Sequence, residues 1–177
     1  MTEARSEVSL LIAFADLTRF LAICQRTDDA EIARTLDAFY EHVGSAVASA
    51  GGTLVKFIGD AALIVFTEDK VDQGVRMLLD LKHDVDRFMT SSGWDSRLHI
   101  KVNFGPVIAG SFGAAGAKRF DVIGRAVNIA ATLDSTGISL SVAAFRKLSP
   151  AMRTHFKKHT PPIVYIRNED PHRRKGK

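Results

Sequence analysis

The sequence predicts an α+β fold, in which a largely antiparallel sheet carries helices packed on one face. Strand-length apolar runs and two long amphipathic segments follow one another in the order strand, helix, hairpin, helix, strand. The strand after the second helix alternates between apolar and basic residues, which is typical of a strand with one buried face. This order is that of a ferredoxin-like arrangement, whose third strand lies antiparallel beside the first.

The first strand and the first helix are indicated by residue spacing. The apolar run at 8–15 has strand length and stops at Asp16, as expected for a central strand that is buried on both faces. Apolar residues then recur at helical spacing. This segment starts with Asp28 and Glu31, which resemble a capping box, and stops at the glycine pair 51–52.

A hairpin and a second helix come next. The segment 53–66, TLVKFIGDAALIVF, divides into two apolar arms around Gly59, which supplies the turn. Its two charges, Lys56 and Asp60, each need a partner, access to water or a ligand, because burying an unpaired ion costs several kcal/mol. The spacing of apolar residues then predicts a helix between about residues 71 and 89.

The later segments contribute polar side chains. Alternation in the following strand places three basic residues on one face, namely Arg97, His99 and Lys101. A short strand at 119–123 precedes a helix that holds Asn128 and Thr132 one turn apart on the same side. The remainder, from 139 to 166, is predicted to form a strand, a short helix and a last strand.

Asp16 and Asp60 converge in the predicted topology. If the third strand lies antiparallel beside the first, its start falls next to the end of the first strand. Two carboxylates in that position repel each other unless a cation lies between them. A single acid at a strand end is more often a helix cap or a solvated turn residue, so the pairing is what favours a metal site.

Composition limits the function classes. Of the 177 residues, 46% are hydrophobic, which supports one domain, and we assign it to 1–171 with a basic tail at 172–177. The formal charge of +4 comes from that tail, so the neutral body argues against nucleic-acid binding. The single cysteine, Cys24, excludes an internal disulfide, and no apolar run approaches the roughly 20 residues of a membrane helix. We expect a cytoplasmic protein whose regulatory domain, if it has one, lies outside this chain.

Four sequence blocks occur in a fixed order: FADLTRF at 14–20, KFIGD at 56–60, NFGPVIAG at 103–110 and FDVIGRAVNIA at 120–130. Their order and spacing resemble the class III nucleotidyl cyclase catalytic domain over roughly residues 8–166. The resemblance implies a ferredoxin-like palm core that works as a homodimer, with its sites at the subunit interface.

The resemblance also implies roles for individual residues. Asp16 and Asp60 would hold two Mg²⁺ or Mn²⁺ ions, which activate the ribose 3′-hydroxyl and hold the triphosphate. Backbone amides from Leu17 to Phe20 would bind the phosphates. Lys56 and Asp121 would read the base, since a lysine donates to adenine N1 and a carboxylate accepts from the exocyclic amine.

Other positions match the family or depart from it. Asn128 matches the asparagine that orients the ribose, whereas Thr132 stands where the family has an arginine that stabilises charge on the phosphates. His99 replaces an arginine found in some members, and we expect its basic neighbours on the same face, Lys101 among them, to compensate. Lys158, within KKHTPPIVY, is the predicted phosphate contact of the last loop.

The leading hypothesis from the sequence is an adenylate cyclase that converts ATP into cyclic AMP and pyrophosphate. One alternative is a catalytically weak or inactive module that binds nucleotide or only dimerises, and Thr132 favours it because threonine brings no positive charge. Guanylate cyclase activity is the nearest enzymatic alternative. Lys56 opposes it, because guanine calls for an acidic residue at that position.

Overall fold

The structure, a computed structural model, describes residues 5–170, so the predicted basic tail at 172–177 lies outside the described residues. A 3₁₀ turn at Glu68–Lys70 connects the hairpin to the third helix. The other elements, in chain order, are β1 (Ser6–Leu17), α1 (Phe20–Cys24), α2 (Asp29–Ser49), β2 (Thr53–Ile58), β3 (Ala61–Thr67), α3 (Val71–Ser91), β4 (Leu98–Phe112), β5 (Arg119–Ile123), α4 (Arg125–Thr132), β6 (Ile138–Leu140), α5 (Val142–Lys147), α6 (Pro150–Arg153), β7 (Phe156–His159) and β8 (Val164–Arg167).

The described strands form one sheet in the order β2-β3-β1-β4-β6-β8-β7, with β5 paired to β4. All of these pairings are antiparallel except that of β4 with β6. The β1–β3 register places Asp16 opposite Ala61, the residue after Asp60. The predicted α+β fold, with its third strand antiparallel beside the first, is confirmed.

Side chains alternate between the two faces of β1 and build a separate core on each. One face packs against α2, α3 and α5 in the larger core. The other face, which we call the α4 face, carries a smaller core in which Ala126 and Ala130 of α4 pack near Leu10, Ile12 and Leu63. The expectation that the helices pack on one face of the sheet is therefore wrong for α4, because helical periodicity shows that a helix has a buried side but not which face of a sheet that side covers.

Local sequence explains both ends of α2. The Asp28 side chain accepts a hydrogen bond from the Glu31 backbone amide at 2.8 Å, which satisfies one of the unpaired donors at the helix start. The chain leaves the helix through Gly51, whose φ of 61° is favourable for glycine. The predicted start and stop of this helix are confirmed.

The C-terminal part contains more elements than the sequence predicted. In place of one short helix the structure has α5 and α6, and β7 adds a strand that pairs with β8. Because β7 reads FKKH and lies at the sheet edge, its polar residues lack the apolar pattern of a buried strand. Within residues 5–170, no helix is both long and apolar enough to cross a membrane.

Candidate active site

Asp16 and Asp60 lie beside each other where β1 ends and the β2–β3 turn begins. The Leu17 backbone amide donates to the Asp60 carbonyl oxygen at 3.3 Å, which joins the two segments. Burial, and to a lesser extent the Asp16 carboxylate, raises the pKa of the Asp60 carboxyl, although backbone hydrogen bonds oppose this shift. The two carboxylates are therefore electrostatically coupled, as the topology predicted.

The Asp16 carboxylate has one oxygen without a hydrogen bond. Oδ1 is buried and accepts no hydrogen bond from the described residues, and the Lys101 Nζ atom lies 3.7 Å away. Buried polar atoms of this kind are rare and call for a ligand or an ion. Residues 5–170 contain no group of three or more His, Cys, Asp or Glu side chains able to hold a metal ion. Two carboxylates alone still fit Mg²⁺, which commonly completes its coordination with substrate phosphates and water.

Tyr40 supports the turn that carries Asp60, a role that the sequence did not reveal. Its hydroxyl donates to the Gly59 carbonyl oxygen at 2.7 Å, and its ring stacks on Phe57 with centroids 3.9 Å apart. Burial, and secondarily the Asp60 carboxylate, raises the pKa of the Tyr40 hydroxyl. The helical pattern marked Tyr40 only as an apolar member of α2, and no local signal indicated its contact with the turn.

Lys56 and Asp121, which the sequence separates by 65 residues, form an ion pair of 2.5 Å between β2 and β5. The second carboxylate oxygen of Asp121 accepts a hydrogen bond from the Val122 amide at 2.9 Å, which fixes the orientation of the group. The lysine side chain is 44% exposed and the aspartate 23% exposed. Both groups are thus brought together within one chain and are accessible to a ligand.

A β-bulge turns Lys56 toward the α4 face. Leu54 pairs with Ile64 and Lys56 pairs with Leu63, so Val55 has no partner on β3. Without this extra residue, the alternation along β2 would turn Lys56 to the opposite face. Bulges commonly re-aim a side chain beside a functional site.

α4 carries Asn128 and Thr132, and both are exposed. The Thr132 hydroxyl lies 2.9 Å from the Asn128 carbonyl oxygen and donates within its own helix. A hydroxyl has one proton, so Thr132 has none left to donate to a phosphate. The Asn128 side-chain amide has no hydrogen-bond partner among the described residues, which leaves it available to a ligand.

The three basic residues expected on one face of β4 lie in three different environments. Burial lowers the pKa of the His99 imidazole, although the nearby Asp16 carboxylate acts in the opposite direction, so His99 brings no charge at neutral pH. Arg97 precedes β4, and its guanidinium donates to the Thr90 hydroxyl at 3.2 Å, so it departs from the predicted shared face. The Lys101 Nζ atom, in contrast, lies 3.7 Å from Asp16 Oδ1.

Phe20 begins α1, directly after a residue with unusual backbone geometry. Arg19 has a φ of 59° and is the only described residue other than glycine with a positive φ. Its side chain pairs with Asp95, while the Phe20 ring lies near Trp94 with centroids 6.2 Å apart. The segment from Leu17 to Phe20 therefore makes a sharp turn after β1, and its binding of phosphates stays a prediction. Nothing in the sequence marked Arg19, because glycine is the residue expected in this conformation.

The structure does not bring Lys158 to the carboxylates. Lys101 is in register with Ser139, Ser139 with Ile166, and Ile166 with Lys157, so these side chains share the α4 face. Lys158 follows Lys157 on β7 and, by alternation, lies on the opposite face. The register within one chain therefore gives no support to its predicted phosphate contact, which stays a prediction.

The model of the adenylate and guanylate cyclase catalytic domain family matches residues 2–169. The chain belongs to this family. The cyclase domain is 25% identical over 139 residues to an adenylate cyclase of Anabaena cylindrica, covering 74% of this chain and 28% of that protein. It therefore spans less than a third of that relative's length.

Solved structures agree with this assignment. A bacterial light-regulated adenylyl cyclase has a TM-score of 0.83 and is 21% identical, with 94% of this chain and 53% of that chain covered, which shows the common fold. The catalytic core of a rhodopsin-guanylyl cyclase with converted specificity, in complex with ATPαS, has a TM-score of 0.73 and is 26% identical. Here 83% of this chain and 85% of that chain are covered. The resemblance seen in the sequence is confirmed, and cyclic nucleotide synthesis is the family's activity.

Proposed function

We propose that this domain is an adenylate cyclase that converts ATP into cyclic AMP and pyrophosphate. The observation that carries the choice of ATP is the ion pair between Lys56 and Asp121. An ammonium can donate to adenine N1, while a carboxylate can accept from the adenine amine. Guanine presents the reverse pattern, a carbonyl oxygen and an N1 proton, so this pair disfavours GTP.

The carboxylate pair supplies the reacting end of the site. Asp16 and Asp60 would hold two Mg²⁺ or Mn²⁺ ions, which lower the pKa of the ribose 3′-hydroxyl and neutralise phosphate charge. Asn128 orients the ribose, and the turn from Leu17 to Phe20 binds the phosphates. The 3′-oxygen then forms a bond to the α-phosphorus, the bond from that phosphorus to the bridging oxygen breaks, and pyrophosphate leaves while the hydroxyl proton passes to solvent.

The active unit in this proposal is a homodimer in which carboxylates of one subunit meet base-reading residues of the other. Large exposed apolar side chains on the elements around the site support this arrangement, because such patches mark interfaces. Ile108 and Ile123 lie opposite each other across the β4–β5 pair and are 38% and 51% exposed. Three further exposed apolar residues lie on β2, β5 and α4, namely Ile58, Phe120 and Ile129.

A weakly active or inactive nucleotide-binding module is the second candidate. It is favoured by Thr132, whose hydroxyl donates to its own helix and supplies no charge to the phosphates. A cytoplasmic location is part of the proposal for either candidate, because the single cysteine fits a reducing compartment.

Product identification tests the proposal. The purified chain is incubated separately with ATP and GTP in the presence of Mn²⁺, and products are separated by chromatography and identified by mass. We expect cyclic AMP from ATP, and loss of this product in Asp16→Ala and Asp60→Ala. A domain that is verified as folded and dimeric but makes cyclic GMP alone, or no cyclic product, contradicts the proposal.

A further inference from the structure

We propose that Lys101 is the counter-ion of Asp16 in the free domain, and that its ammonium competes with a divalent metal ion for this carboxylate until a triphosphate draws it away. The inference rests on the proposed function, since it assumes that Asp16 is a metal ligand. It adds a coupling between metal and nucleotide binding that depends on a residue of this chain.

The strand register brings the two side chains together. Lys101 on β4 pairs with Phe14 on β1, and Asp16 pairs with His99, so Lys101 and Asp16 are diagonal neighbours on the same face. The Lys101 Nζ atom lies 3.7 Å from Asp16 Oδ1. This oxygen is buried and accepts no hydrogen bond from residues 5–170, so the lysine is positioned where a metal ion would bind.

Other basic groups near Asp16 do not take this role. The Arg97 guanidinium donates to the Thr90 hydroxyl and to the Ser96 carbonyl oxygen. Lys101, in contrast, forms no ion pair or hydrogen bond with any described residue except its contact with Asp16. Its charge is therefore balanced by the carboxylate that the metal requires.

The contact is also easily exchanged. A separation of 3.7 Å is longer than a hydrogen bond, so charge attraction alone holds the pair. The lysine side chain is 22% exposed, and its flexible four-carbon stem can move the terminal ammonium to a neighbouring anion. A bound triphosphate would offer Lys101 a stronger anionic partner and free Asp16 for the metal. Because coupling of this kind is reciprocal, metal binding would in turn favour nucleotide binding.

The test compares two affinities in Lys101→Met and in the unaltered chain. Mn²⁺ binding without nucleotide is followed by the electron paramagnetic resonance signal of the free ion. Binding of 3′-deoxy-ATP, which cannot cyclise, is measured by calorimetry with the metal chelated. We expect Lys101→Met to bind Mn²⁺ about two- to fivefold more tightly, the range for a partly exposed ion pair, and 3′-deoxy-ATP more weakly.

The two affinities are expected to change in opposite directions, which separates this role from a structural one, since a damaged site would bind both ligands more weakly. Lys101→Arg keeps the charge and should keep the weaker Mn²⁺ affinity, and Lys118→Met, at an exposed position before β5, is the matched control. Unchanged or weaker Mn²⁺ binding by Lys101→Met overturns the inference. Asp16→Asn tests the assumption beneath it: if this variant still binds Mn²⁺ normally, the proposed metal pair itself is wrong.

Discussion

Lys56 and Asp121 form a 2.5 Å ion pair within one chain, although they lie on different strands and 65 residues apart. Each group neutralises the other, so neither would have to be desolvated alone when a nucleotide binds as proposed. The fixed orientation of the Asp121 carboxylate by the Val122 amide keeps one oxygen directed at the lysine. A base that binds here must match both a donor and an acceptor.

Removal of the lysine should lower ATP turnover. Lys56→Met deletes a charged donor, and a hydrogen bond to a charged group contributes about 1.5–3 kcal/mol, so we expect kcat/KM for ATP to fall roughly 10- to 100-fold. Rates of cyclic AMP and cyclic GMP formation provide the measurement, with Lys118→Met as the control. An unchanged preference for ATP over GTP in Lys56→Met would show that this pair does not read the base.

Restoring a cation on α4 should raise the rate. Thr132→Arg places a guanidinium at an exposed position, one turn after Asn128, where transition-state charge on the phosphates can be stabilised. Because one such group is commonly worth a factor of 10² or more in kcat, we expect an increase of at least about tenfold. Thr132→Gln, which is long but neutral, is the comparison. If kcat is equal in the two variants, the missing positive charge does not limit the rate.

Asp60→Asn should stabilise the metal-free fold while it abolishes product formation. The folded pKa of Asp60 is raised, so the folded chain takes up a proton more readily than the unfolded chain. Protonation of Asp60 therefore increases the free energy of unfolding as the pH falls through the raised pKa toward the ordinary value of 3.8. At neutral pH the carboxylate is charged, and its burial destabilises the fold.

Thermal unfolding at neutral pH with the metal chelated measures this effect. The melting temperature of Asp60→Asn should exceed that of the unaltered chain, and the difference should shrink as the pH is lowered toward 4. Asp37→Asn, at an exposed site on α2, controls for the loss of one negative charge. A lower melting temperature for Asp60→Asn at neutral pH would mean that its carboxylate is a net stabiliser.

A charge placed in the exposed apolar patch should separate the subunits. Ile123→Glu puts a carboxylate opposite Ile108, where a dimer would bury it unpaired at a cost of several kcal/mol. Sedimentation analysis should show a monomer, and cyclic AMP formation should be lost with it. Ala143→Glu, at an exposed position on α5 beside the other face, should change neither. A dimer that survives Ile123→Glu would place the interface elsewhere.

Sequence patterns were sufficient where the fold depends on periodicity and turn chemistry. The run that ends at Asp16, the capped start of α2 at Asp28 and the glycine in the β2–β3 turn each have a local signal. The pairing of β1 with β3 followed from the order of the elements, and this pairing places Asp60 beside Asp16.

The parts that the sequence could not predict depend on contacts between distant segments. The Val55 bulge is set by pairing with β3, and neither neighbour of Val55 signals it. Periodicity marks the buried side of α4 but not the face of the sheet that this side covers, and the polar strand β7 resembled a loop. Arg19 adopts a backbone conformation that its residue type disfavours, because the turn between β1 and α1 imposes it.

The bulge at Val55 also affects how the chain avoids aggregation. β2 is the terminal strand of the sheet, and an unprotected edge can pair with a strand of another molecule. The bulge interrupts the regular row of backbone donors and acceptors, and Lys56 adds a charge beside it. Strand-by-strand extension of the sheet at the β2 edge is thereby disfavoured.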